Sequence, residues 1–95
     1  MWTRNPAIAQ YQLVIVLGSS IRRLNSWDPI ALPSQPDTFE NAWSFTPVPG
    51  TTAIDCVYVD DPELSFGTFT KDQWLRLASL LTMPLEDAIR LYTTE

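Results

Sequence analysis

The stretch from Thr38 to Val59 limits the folds open to this chain more than any other. "TFENAWSFT" alternates, placing Phe39, Trp43 and Phe45 on one face and Glu40, Ala42 and Ser44 on the other. "TTAIDCVYV" repeats the pattern, with Ile54, Cys56 and Tyr58 opposite Ala53, Asp55, Val57 and Val59. Between them stands "PVPG". Pro49-Gly50 suits the centre of a type II turn, where proline presets φ and glycine accepts a positive φ. A period of two on both sides of such a turn predicts an antiparallel hairpin of strands Phe39–Thr46 and Thr52–Val59. "DDPE" turns the chain again, and "LSFGTF" reads as a last short strand.

The C-terminal quarter changes period. Thr70 and Gln73 have capping-box spacing, with Asp72 in the first turn. Trp74, Leu77, Ala78 and Leu81 then share one helical stripe. The chain breaks near Thr82, and Pro84 opens a second helix whose inward stripe is Leu85, Ala88, Ile89 and Tyr92. Glu86 and Asp87 suit its positive end. The expected class is α+β: a small antiparallel sheet of hairpins followed by a two-helix hairpin packed on one face.

Residues 6–24 admit two readings. Asn5-Pro6 can start a helix that aligns Val14, Leu17, Ile21 and Leu24. Against it, Val14-Ile15-Val16 is β-branched and Gly18-Ser19-Ser20 would fall inside the helix. The favoured reading is a strand over Gln12–Leu17, a type II′ turn at Gly18-Ser19 and a return strand over Ser20–Leu24. The same "GSSIRR" lacks the extra glycines and the lysine of a phosphate loop. Pro29, Pro33 and Pro36 make 28–37 an extended surface connector. The 95 residues suit a single domain. Residues 1–10 form an arm, 11–69 are mainly β, and 70–95 are the helical hairpin.

The residue inventory removes several chemistries. Cys56 is the single cysteine and there is no histidine. An intramolecular disulfide, a Cys/His zinc site, a Ser-His-Asp triad and a Cys-His pair are all excluded. Asp60, Asp61 and Glu63 form the densest acidic group, but without the calcium-loop spacing, and Asp-Asp-Pro is common turn chemistry. No catalytic, cofactor-binding or metal-ligating residue is expected, and no enzyme. A net charge of −5 argues against charge-driven binding to nucleic acid or to an anionic membrane. No run approaches the roughly 20 apolar residues of a membrane span. Gln10 and Gln12 interrupt the N-terminal apolar run, against a signal peptide. The expected location is cytoplasmic, or a virion if the chain is viral.

Four tryptophans remain to be placed. Trp43 and Trp74 lie on core stripes, whereas Trp2 and Trp27 do not. Tryptophan and arginine are common interface anchors. Partner contact is therefore expected at Trp2, Arg4 and Trp27, and at Asp60, Asp61 and Glu63 for a basic partner. The competing view folds both tryptophans back over the sheet. The expected function is a non-catalytic protein–protein interaction protein. It would be a small structural or accessory subunit of a larger assembly, such as a virion component or assembly factor. Its partners would be proteins, copies of itself included. One alternative is an acidic inhibitor or adaptor that masks a basic or nucleic-acid-binding surface. Another is a small DNA-binding regulator, because "LRLASLLTMPLEDAIRLY" has helix-turn-helix spacing. Its second helix opens on two acids and carries only Arg90, which disfavours that view.

Overall fold

Residue 6 begins a helix, not the approach to a strand. In a computed structural model that describes residues 2–94, α1 runs from Pro6 to Leu24. Asn5 caps it, its side chain accepting from Ala7 N at 2.9 Å, and Pro6 sits where a missing N–H costs nothing. The strand over Gln12–Leu17, the turn at Gly18-Ser19 and the return strand over Ser20–Leu24 are thus corrected, and the first strand starts only at residue 43. The β-branched residues cost a helix at most about 0.7 kcal/mol each, which a cap and a packed face can outweigh. Ser20 satisfies its hydroxyl inside the helix by donating to Val16 O at 3.1 Å.

After the proline connector the chain makes a short 3-10 turn, Phe39–Ala42, where the first strand was expected to begin. Phe39 there lies 5.5 Å from Trp74, ring centre to ring centre. Three strands follow: β1 (Trp43–Pro47), β2 (Ile54–Tyr58) and β3 (Ser65–Thr68). They form one antiparallel sheet in the order β1-β2-β3. Phe45 stands opposite Cys56, and Cys56 opposite Phe66. The Pro49-Gly50 turn is as expected, with Gly50 at φ 76° and Thr51 N donating to Val48 O at 3.2 Å.

Two helices end the chain, α2 (Lys71–Leu80) and α3 (Leu85–Thr93), completing the α+β class. Thr70 caps α2 by accepting from Gln73 N at 3.2 Å. The Gln73 side chain reaches back to Phe69 N at 2.8 Å, one residue earlier than a capping box requires. Trp74 is the hub of the core, meeting Phe45 edge-on at 5.1 Å and Trp43 at 6.2 Å. Leu77, Ala78 and Leu80 extend that core, while Leu81 is only half-buried.

The rest of the core joins α1 to α3. Ile8 and Ile15 meet Ala88 and Tyr92 in one buried cluster. Tyr11 donates to Met83 O at 2.7 Å and Arg22 to Thr94 O at 2.7 Å. Residue 11 beside 83 and residue 22 beside 94 means that the two helices run side by side in the same direction. No helix among the described residues is long and apolar enough to cross a membrane.

Candidate functional site

α1 carries apolar residues around most of its circumference, and only one side of it is covered. Ile8, Ile15, Gly18 and Arg22 face inward and are buried. On the opposite side Leu13, Val16 and Leu17 are 55%, 56% and 57% exposed, and Leu24 is 83% exposed. Ile21 lies nearer α3, and across from it stand Leu85 and the exposed Ile89. Together they line a groove of about 400 Å³, with Gly18 and Tyr92 at its buried side. Among the described residues no charged side chain lines it. This surface offers apolar contact and no acid–base chemistry. Isolated apolar side chains on a surface are ordinary, but these lie together along one groove.

The arm does not stand apart from the fold. Trp2 N donates to Gly67 O at 3.1 Å, and Gly67 N donates in return to Trp2 O at 2.7 Å. The indole meets Phe69 edge-on at 5.6 Å and remains 41% exposed. Thr3 Oγ1 donates to Ser65 O at 2.7 Å, and Asn5 Nδ2 to Glu63 O at 2.9 Å. The expectation of an arm outside the fold is corrected, because these bonds close the outer edge of β3. Trp2, Arg4 and Glu63 thereby come to one edge of the sheet, where Arg4 and Glu63 flank a shallow depression.

The remaining expected contacts disperse. Asp60 and Asp61 occupy the β2–β3 turn, where Asp61 Oδ1 accepts from Glu63 N at 3.2 Å. That is turn chemistry. Among the described residues no group of acids and cysteine gathers to hold a metal. Trp27 lies at the other end of α1, under the Arg22 guanidinium, which is 5.5 Å from its ring centre. The outer side of α3 presents Glu86, Asp87 and Arg90, with Arg90 paired to Asp87 at 3.8 Å. The Cys56 thiol is fully buried beside Thr68 Oγ1 at 3.7 Å. Burial pushes its pKa up, the Thr68 hydrogen bond opposes this, and the Asp55 charge adds to it. At neutral pH it is a core thiol, not a nucleophile.

The groove was half legible in the sequence. The helical alignment of Leu17, Ile21 and Leu24 is there, but α1 has two apolar sides and the sequence does not mark the covered one. Comparison with protein-family models, with curated proteins and with solved structures finds no match.

Proposed function

We propose that this chain is a non-catalytic interaction subunit whose α1 outer face receives an amphipathic helix of another protein. One observation carries the reading: Leu13, Leu17, Ile21 and Leu24 sit at i, i+4, i+8 and i+11 on one side of α1, all more than a third exposed. That is the spacing of an apolar stripe along which another helix can pack. A helix apolar around its circumference is stable when surrounded, and α1 has protein on its inner side only. The parallel pair α1 and α3 leaves a trough of the kind a third helix packs into. The protein carries a net charge of −5, which favours a partner helix with a basic rim.

The test compares the protein with its Leu17→Glu variant, whose side chain is exposed and whose fold should persist. Proteins captured from the native source are identified by mass spectrometry, purified, and titrated against both forms. A partner that binds the wild type and loses at least about tenfold affinity for Leu17→Glu supports the reading. Equal binding by both forms overturns it. Concentration-dependent dimerisation of the wild type in sedimentation, lost in Leu17→Glu, would replace the partner helix by a second copy.

A further inference from the structure

Three of the six basic residues of this acidic protein converge on one cleft. Arg22 and Arg23 come from the last turn of α1, and Arg76 from α2. The cleft is about 530 Å³, within the range of small-molecule sites. Arg22 is only 7% exposed. It donates through Nε to Asp28 O at 2.7 Å and through Nη1 to Thr94 O at 2.7 Å. Arg76 Nη1 donates to Ile30 O at 2.7 Å. These partners are backbone carbonyls, which satisfy N–H groups but carry no full negative charge, and the Arg22 guanidinium lies over the Trp27 ring.

Among the described residues the ion pairs are Lys71–Glu40 and Arg90–Asp87, and neither includes any of these three arginines. Burying a guanidinium without a counter-charge is costly. Two arginines in the last turn also complement the α1 dipole, which explains a positive helix end. It does not explain a third arginine from another helix, nor the space between them. Ser19 and Ser26 add hydroxyls to the wall. Ser26 has φ 58°, a conformation in which glycine would be at ease and serine is strained. Ile15, Trp27, Pro29 and Ile30 supply the apolar remainder.

We propose that this cleft binds a small molecule bearing a phosphate or carboxylate on a compact apolar body. Arg22, Arg23 and Arg76 hold the oxyanion, the two serine hydroxyls complete its hydrogen bonds, and the apolar wall takes the body. Guanidinium forks match both oxyanions bidentately. The proposal stands independently of the α1 groove, which faces a different side of the helix.

Phenyl phosphate, benzoate and the neutral control phenol are titrated into the full chain and followed by calorimetry and by amide shifts. The expected result is saturable binding of phenyl phosphate or benzoate below about 1 mM, with phenol at least tenfold weaker. The stronger of the two anions names the oxyanion. Arg23 makes no side-chain bond among the described residues, so Arg23→Gln should melt like the wild type and bind at least about tenfold more weakly. Leu17→Glu should bind like the wild type. The proposal is overturned if neither anion saturates the wild type by about 10 mM, or if Arg23→Gln binds within twofold of it.

Discussion

Gly18 of α1 lies against Tyr92 of α3 so closely that a Cβ at position 18 would stand 2.5 Å from Tyr92 Cβ. The glycine is therefore a close-approach residue inside a helix, and its turn-forming reputation is irrelevant here. Gly18→Ala would gain about 1 kcal/mol of helix propensity. Overpacking costs about 1–3 kcal/mol, and the atom met is a Cβ, which cannot swing aside. We expect a net loss of up to about 2 kcal/mol, read as a lower urea midpoint. A more stable variant would show that the two helices are not in contact at this point.

The arm should contribute to the melt. Asn5→Ala removes the α1 cap and the bond to Glu63 O. A cap is worth about 1 kcal/mol, which in a domain of this size moves Tm by roughly 4–8 °C. Deleting residues 1–5 should cost more, since the paired bonds between Trp2 and Gly67 go as well. Calorimetry that finds the truncated protein melting like the wild type would detach the arm from the fold.

Trp74 separates ring volume from its polar atom. Trp74→Ala should cost about 3–5 kcal/mol, as expected for an aromatic at the core. Its Nε1 is buried with no partner among the described protein groups. Trp74→Phe removes that N–H and keeps most of the packing, so chemical denaturation should place it within about 1 kcal/mol of the wild type. Similar costs for both variants would mean that the indole nitrogen is paired in solution.

Ser26 should be a site of easy stabilisation. It occupies the left-handed position that closes α1, where Trp27 N donates to Arg22 O at 2.8 Å and Ser26 N to Arg23 O at 3.1 Å. Ser26→Gly relieves about 1 kcal/mol of strain, so a higher Tm is the expected outcome. If the hydroxyl serves the arginine cleft, the same variant binds phenyl phosphate more weakly.

Stability should decline in mild alkali through Cys56. Its folded pKa lies above the unfolded value of about 8.5, so the folded state holds the proton more tightly. The contribution is complete below the unfolded pKa and is lost as pH rises through the folded one. Urea midpoints between about pH 7 and 10 should fall more steeply for the wild type than for Cys56→Ala. Parallel declines would place the alkaline loss elsewhere.

The residues themselves determined the Pro49-Gly50 hairpin and both C-terminal helices, because each has its period and its stop signal within a few neighbouring positions. Gly50 at positive φ and Thr70 as a cap are local solutions to local constraints. The absence of histidine likewise limits the chemistry whatever the fold. Residues 6–24 were different: β-branching and Gly18 argue for strands, and only contact with α3 makes a helical glycine favourable there. Contacts between distant segments also decided that Trp2 closes the edge of β3, that Leu13 and Leu17 face outward while Ile8 and Ile15 face inward, and that Arg76 meets Arg22 and Arg23 across 53 residues of chain. Local pattern specifies an element where its period and its stop signals agree, as at Pro49-Gly50 and Thr70. Which of two apolar sides is buried, and which distant charges meet, depends on the packing of elements that the chain brings together only once it has folded.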